Sequence, residues 1–222
     1  MGLVESLQIS LLTESLASWW RKGAAVLDIN CGDGRFLPPL LQRGCNVEAT
    51  EPAPDVREQA HALANGRVDV VAASDDSLPY ADNYFDYAVL HLASADGQRL
   101  AASLAEMARV AERGIAVTFW NSASLGGLGN CAGQATASLP WWQVRAALKR
   151  MGLGRYAAES TLCLPPATWH EGSALAGANS LCGCLPVGAW MVARLDLKPR
   201  QTGTPLTLRV PFLRSGETAM NS

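Results

Sequence analysis

The chain has 222 residues, of which 49% are hydrophobic and 17% are charged, and its formal net charge is −2. This composition is typical of a globular domain with a sizeable core and excludes a disordered chain. The weakly acidic balance excludes the basic surface that nucleic acid or an anionic membrane requires. No apolar run approaches the roughly 18 residues that span a bilayer, and no cationic leader begins the chain, so we expect a cytoplasmic protein.

The first predicted element is a helix over residues 3–20, because apolar side chains recur along one of its faces. Short apolar runs and helical segments then alternate. The predicted strands cover 25–29, 46–50, 68–72, 85–91, 115–120, 156–162 and 187–195. The predicted helices between them cover 34–42, 54–64, 97–112 and 140–151.

This alternation predicts a Rossmann-like, doubly wound α/β sheet of about seven mostly parallel strands, in three α/β/α layers. No convincing helix separates the last two predicted strands, so we expect the last strand to run antiparallel. The glycine-rich segment over 121–138 has little periodicity and is predicted to be a functional loop. One domain is expected over 1–198, and the polar residues over 199–222 predict a weakly structured tail.

The loop that follows the first predicted strand is the most informative motif of the chain. It begins at Asp28 and contains Gly32 and Gly34, which permit a sharp turn and a close approach of a ligand to the backbone. Glu51 follows the second predicted strand, where a carboxylate can accept hydrogen bonds from two ribose hydroxyls. The pattern therefore predicts a nucleoside site at this corner.

The charges around the loop indicate which nucleoside fits. A dinucleotide fingerprint has a third glycine, but Leu37 stands there, and Asp28 and Asp33 oppose a pyrophosphate. Negative charge suits the sulfonium and the ammonium of S-adenosylmethionine. A dinucleotide-dependent oxidoreductase is a disfavoured alternative function. The alternative without any function is a glycine turn that only joins a strand to a helix.

Three further segments carry a resemblance to a known family, namely residues 78–90, 106–117 and 186–193. With the loop, they are similar to class I S-adenosylmethionine-dependent methyltransferases of the type 11, small-molecule kind, over roughly the stretch from residue 24 to residue 195. Asn30 is a departure, since the family usually has glycine there, but asparagine tolerates a left-handed backbone. The resemblance implies the Rossmann-like fold and S-adenosylmethionine as cofactor.

The resemblance also implies a set of cofactor-binding residues in the loop and at the next strand ends. They are Asp28, Asn30, Gly32, Gly34, Glu51, Ser74 and Asp75. Asp28 would orient the methionine ammonium and Glu51 would bind the ribose, while Asp75 or Ser74 would meet the adenine amino edge. The structural alternative for Asp75 is a solvated loop.

Methyl transfer from a sulfonium is an in-line displacement that mainly requires orientation of the acceptor and exclusion of water. His91 ends a predicted strand and is a candidate catalytic base, although a histidine satisfied by the backbone is the alternative. Trp19, Trp120 and Asn121 are predicted to line a pocket for a small, partly apolar acceptor. Ordinary core packing is the alternative for most of the tryptophans.

A non-catalytic S-adenosylmethionine-binding module that acts through partners is the alternative function. Asn30 and the absence of an obvious catalytic base favour it. The spacing of the six cysteines and the presence of only three histidines predict no metal site, and no disulfide is expected in a reducing compartment. The identity of the acceptor and the oligomeric state are left open.

Overall fold

The computed structural model describes residues 2–19, 21–124, 137–152, 155–180, 183 and 185–197. Its helices are α1 (Leu3–Ser15), α2 (Leu37–Gln42), α3 (Pro54–Leu63), α4 (Gly97–Val110) and α5 (Trp141–Arg150). Its strands are β1 (Ala25–Ile29), β2 (Asn46–Thr50), β3 (Val70–Val71), β4 (Phe85–His91), β5 (Ala111–Asn121), β6 (Ser138–Leu139), β7 (Tyr156–Thr161) and β8 (Trp190–Asp196). The predicted tail over 199–222 and most of the predicted glycine-rich loop lie outside the described residues.

The strands form one sheet in the order β3-β2-β1-β4-β5-β8-β7, and the two-residue strand β6 pairs with β5. The pairs from β3 to β5 are parallel, whereas β8 runs antiparallel to both β5 and β7. The predicted mainly parallel sheet with an antiparallel last strand is therefore confirmed. The sheet therefore has eight strands rather than the predicted seven, because the two-residue strand β6 is too short to leave a pattern in the sequence.

Several element boundaries differ from the predictions: β5 begins at Ala111 rather than at residue 115, and three other differences have a visible reason. Helix α2 begins at Leu37 rather than at Gly34, because Gly34 has a φ of +82°, which no right-handed helix contains. Helix α1 ends at Ser15, and the chain then turns so that Trp19 enters the core. Strand β3 shortens to Val70–Val71, since it pairs only with β2 at the edge of the sheet.

The two faces of the sheet carry separate halves of the core, as the period-2 alternation of a strand requires. Val26, Val89 and Ala116 belong to the half that contains residues of α1, α2 and α3. Leu27 and Leu90 belong to the other half, which contains residues of α4 and α5. The carboxyl ends of β1, β2, β4 and β5 consequently meet at one edge of the sheet, where ligands bind in open α/β folds.

The cysteines differ in part from the expectation. Cys31 and Cys45 are buried and free, but the sulfur of Cys163, just after β7, is disulfide-bonded. The expectation that no disulfide forms is therefore wrong. Within the described ranges, no group of His, Cys, Asp and Glu side chains could hold a metal ion. No helix of the described chain is long and apolar enough to cross a membrane.

Candidate cofactor and acceptor site

The loop after β1 is built on left-handed backbone. Asn30, Gly32 and Gly34 have φ values of +55°, +58° and +82°, a region that glycine and asparagine enter more readily than other residues. The side-chain Nδ2 of Asn30 donates to Asp75 Oδ2 at 3.2 Å and to the His91 carbonyl at 3.4 Å. Asparagine thus keeps the turn and ties it to the end of β4.

The two glycines of the loop have different surroundings. A Cβ on Gly34 would lie 2.8 Å from the Cα of Ala60, so this glycine lets the loop pack directly on α3. A Cβ on Gly32 would meet no heavy atom within 4 Å. Gly34 is thus required by packing within the protein, whereas Gly32 faces open space beside the loop.

Glu51 follows β2 and holds the loop from the neighbouring strand. Its Oε2 accepts a hydrogen bond from the Gly32 amide, and its Oε1 accepts one from the Ala53 amide, both at 3.0 Å. Arg57 donates to its backbone carbonyl at 2.9 Å. An ionised carboxylate has about four acceptor positions, so Glu51 keeps capacity for hydroxyl groups of a ligand.

Asp28, His91 and Thr118 form a hydrogen-bonded chain at the same edge. His91 Nε2 lies 2.7 Å from Asp28 Oδ1, and His91 Nδ1 lies 2.8 Å from Thr118 Oγ1. The ring of Phe36 stacks on the imidazole at a centroid distance of 4.5 Å and an interplanar angle of 5°. Both imidazole nitrogens are therefore engaged within the protein, and the ring is clamped.

Asp75 is 2% exposed and is held by two partners. Its Oδ1 accepts hydrogen bonds from Arg99 Nε at 3.2 Å and from the terminal Nη2 at 3.0 Å, while its Oδ2 accepts from Asn30. The hydroxyl of Ser74 donates to Asp76 and also lies 3.3 Å from Arg99 Nη2. Asp75 is thus a buried, paired carboxylate rather than part of a solvated loop. No sequence motif had pointed to Arg99.

A cavity of about 600 Å³ opens between α1, the loop and the carboxyl ends of β4 and β5. Asn30, Gly32, His91 and Trp120 are among the residues that line it. Its remaining aromatic walls are Phe36, Phe119, Trp169 and Trp190. The indole of Trp120 stacks against that of Trp169 at a centroid distance of 6.0 Å. The wall that these residues form is therefore largely aromatic, whereas the side at the loop contains Asn30 and Gly32.

Two predicted pocket residues lie elsewhere. Trp19 is buried at the opposite edge of the sheet, where it stacks on Tyr87 at 4.7 Å and donates to Asp196 Oδ1 at 2.8 Å. Asn121 is buried beyond the end of the cavity; its amide donates to the carbonyls of Pro186 and Gly188, at 3.1 and 3.2 Å. Trp19 is thus a core residue, and Asn121 joins the end of β5 to the segment that precedes β8.

The charges at the cavity mouth are paired. Asp33 binds Arg35 through two hydrogen bonds of 2.9 Å, and Arg35 also lies 4.0 Å from Glu5 of α1. Desolvation opposes ionisation of Asp33, but the hydrogen bonds and charge of Arg35 together lower its pKa. Burial, helped by the charges of Asp28 and Glu51, raises the pKa of the Cys31 thiol far above its usual range. Cys31 is accordingly a protonated thiol and not a nucleophile.

Comparison with known proteins agrees with this geometry. Residues 27–118 match the family model described as a methyltransferase domain. The malonyl-[acyl-carrier protein] O-methyltransferase of Pseudescherichia vulneris is 31% identical over 154 residues, which are 68% of this chain and 55% of that protein. The chain therefore contains a methyltransferase domain over residues 27–118. It spans about half the length of this curated relative.

Solved structures of methyltransferases share the fold. One is a Thermotoga maritima enzyme described as a possible histamine N-methyltransferase, with a TM-score of 0.65, 19% identity, and coverage of 88% of this chain and 92% of that one. Another is the magnesium protoporphyrin IX methyltransferase of Synechocystis with bound S-adenosylhomocysteine, with a TM-score of 0.62, 16% identity, and coverage of 88% and 84%. At these identities the likeness establishes the fold alone.

S-adenosylmethionine is the cofactor of this methyltransferase family, and the residues at the loop fit it. Gly32 leaves open space over the turn, and Glu51 has acceptor capacity beside it. Asp28 is fully buried, and its Oδ2 has no hydrogen-bond partner within the described part of the chain. An unpaired buried carboxylate oxygen is costly, so a ligand ammonium, reached directly or through water, would complete its partners.

Proposed function

We propose that this protein transfers a methyl group from S-adenosylmethionine to a small, partly apolar acceptor that binds in the aromatic cavity. The observation that carries the proposal is the position of that cavity, which joins the loop of Asn30 and Gly32 to a wall of Trp120 and Trp169. One side of the space is polar and suits a nucleoside, and the other is apolar and suits an acceptor.

Two carboxylates of the protein would bind the cofactor directly. Asp28 would hold the methionine ammonium and Glu51 the ribose, because each has an unused acceptor position. Asp75 would meet the adenine only if it exchanged a present partner, so we propose that it positions Asn30 instead. When bound, S-adenosylmethionine supplies an electrophilic methyl group on a sulfonium.

The rest of the catalytic task is orientation. Displacement at a sulfonium depends on holding the acceptor in line and keeping water out. Phe36, buried Trp190 and Trp120 offer apolar faces on which a small molecule can stack. A curated relative is named for malonyl-[acyl-carrier protein], so small acyl compounds that are free of a carrier protein are one class worth testing.

The experiment is transfer of a labelled methyl group from S-adenosylmethionine to a fractionated metabolite extract. We expect the label in small, moderately apolar products, and its loss when Trp120 is replaced by alanine. Label in protein or nucleic acid would contradict the small acceptor. Cofactor binding without transfer to any fraction would instead favour the non-catalytic, partner-dependent module.

A further inference from the structure

A hydrogen-bonded chain of Asp28, His91 and Thr118 runs across strands β1, β4 and β5 at the floor of the cavity. We propose that Thr118 is a catalytic hydroxyl that relays a proton from the acceptor to His91, and that Asp28 orients the imidazole. This inference rests on the proposed methyl transfer. It extends that function by naming the acceptor class, a molecule whose reacting atom carries a removable proton, such as a hydroxyl or a thiol.

Strand register places the three side chains together. His91 and Thr118 are direct partners in the parallel pair of β4 and β5, so their side chains project from the same face of the sheet. Asp28 in β1 is the partner of Val89, two residues before His91, and two residues along a strand return to the same face. Backbone pairing therefore fixes this arrangement before any side chain packs.

The buried carboxylate decides which imidazole nitrogen carries the proton. Asp28 is an acceptor, so His91 Nε2 donates to it across 2.7 Å. In the neutral ring the other nitrogen, Nδ1, is then an acceptor, and the Thr118 hydroxyl donates to it across 2.8 Å. A carboxylate behind an imidazole also stabilises the imidazolium that forms when the ring takes up a proton.

Thr118 offers the free hydrogen-bonding position of this hydrogen-bonded chain. His91 and Thr118 both line the cavity, but both His91 ring nitrogens are engaged and Phe36 stacks on one face of the ring. Its oxygen donates one hydrogen bond and retains lone pairs that can accept another. An O–H or S–H group of a bound acceptor would thus bond to Thr118, and His91 would act through Thr118 rather than by direct contact.

The proton balance is complete without any further reagent. The acceptor's lone pair forms the new bond to the methyl carbon, and the sulfur–carbon bond breaks with its electron pair staying on sulfur. The acceptor's proton passes to Thr118 Oγ1 as the hydroxyl's own proton passes to His91 Nδ1. The imidazolium, paired with Asp28, later releases that proton to water.

Other ionisable groups lie around the hydrogen-bonded chain of Asp28, His91 and Thr118, and they limit how a pH profile is interpreted. Those that face His91 or line the same cavity are Asp28 from β1, Cys31, Asp33 and Arg35 from the loop, and Glu5 from α1. Asp33 and Arg35 neutralise each other, and Cys31 stays protonated. An acid limb in kcat that depends on Thr118 would therefore report on His91.

The test compares Thr118→Val, which removes the hydroxyl at nearly constant volume, with Thr118→Ser, which retains it. Thr50→Val is the matched control, because Thr50 is buried at the end of β2 and its hydroxyl has no partner among the described residues. With an acceptor from the labelled assay, we expect Thr118→Val to lower kcat about 100-fold and to abolish its acid limb. Thr118→Ser should retain most activity, and all three variants should bind S-adenosylhomocysteine normally.

A second measurement does not depend on turnover. Nitrogen-15 NMR of the three histidines in the protein without ligand should find His91 protonated at Nε2, with a hydrogen bond to Nδ1 that disappears in Thr118→Val. A proton on Nδ1, a wild-type kcat in Thr118→Val, or a carboxylate as the preferred acceptor would overturn the relay. Failure of the proposed function itself would differ, because the wild-type protein would then methylate no acceptor.

Discussion

The parallel strands begin at one edge of the sheet, the amino edge, and end at the other, the carboxyl edge. Both edges contain stacked aromatic rings and aspartates, but the surroundings of these residues differ. At the amino edge, Trp19 stacks on Tyr87, and its indole nitrogen is bonded to Asp196. At the carboxyl edge, Phe36 stacks in the same way on His91, but a cavity of about 600 Å³ opens beside it. Aromatic stacking alone therefore does not mark a site; open space next to it does.

Carboxylates differ between the edges as well. Asp86, near the amino edge, pairs with Arg113 at 2.8 Å and accepts from the Ala25 amide at 3.0 Å. Asp28, at the carboxyl edge, keeps one buried oxygen unpaired within the described chain. The difference indicates that the carboxylate at the amino edge is paired within the protein, whereas the one at the carboxyl edge keeps an acceptor position for a ligand.

The largest effect is expected when Trp19 is replaced by alanine. The change leaves a cavity at the amino edge and should lower the free energy of unfolding by about 3–5 kcal/mol, measured by urea denaturation. Affinity for S-adenosylhomocysteine should stay within twofold. Trp120→Ala is the matched variant at the other edge, where a smaller stability loss and a loss of acceptor binding are expected. Reversal of these two outcomes would refute the division between the edges.

Gly34→Ala tests the close packing of the loop on α3. The added Cβ meets Ala60 at 2.8 Å and requires a left-handed φ, so we expect a loss of about 2–4 kcal/mol in the free energy of unfolding. Gly97→Ala is the control, since nothing lies within 4 Å of its Cβ position and helix α4 begins there. Equal stability of the two variants in a urea titration would mean that the loop does not need this contact.

Glu51→Ala should weaken binding of the cofactor. It removes a charged acceptor beside Gly32, and we expect affinity for S-adenosylhomocysteine to fall by about 1–3 kcal/mol in a calorimetric titration. Glu48→Ala, within the preceding strand β2, should bind the ligand normally. An unchanged affinity in Glu51→Ala would remove this carboxylate from the site.

The smallest effect concerns the ion pair at the cavity mouth. Arg35→Gln should cost at most about 1 kcal/mol near neutral pH, because both partners are partly exposed. Arg35 lowers the pKa of Asp33, so this stabilisation is present at neutral pH and is lost as the pH falls through the folded-state pKa of Asp33. Wild type and variant should therefore converge in acid. A difference that grows in acid would contradict this sign.

Much of the fold could be predicted because its cause is local. The apolar run of β4 and the helical periodicity of α4 are written in adjacent residues, and both elements appear near their predicted places. The loop glycines and Glu51 were also found from spacing, since a parallel sheet brings successive strand ends to one edge. The side chains on these ends then lie near the predicted nucleoside.

The features that escaped prediction depend on contacts between distant residues. Trp19 was predicted to line the pocket, but it packs at the amino edge against Gly114, which is far along the chain and has no side chain to occupy that space. His91 was predicted as a base from its place at a strand end, yet its partners are fixed by the register of two other strands. The periodicity of a single segment cannot predict the packing of Trp19 or the hydrogen-bond partners of His91.

The central claim is that the carboxyl-edge cavity holds S-adenosylmethionine, and calorimetric titration tests it most directly. S-adenosylhomocysteine should bind the wild-type protein at one site and raise its thermal stability, by about 2.7 kcal/mol at one hundred times the dissociation constant. NADH should produce neither effect, because the buried carboxylate of Asp28 opposes its pyrophosphate and Leu37 stands where a dinucleotide motif has its third glycine. Absence of S-adenosylhomocysteine binding, or NADH binding of equal strength, would contradict the account.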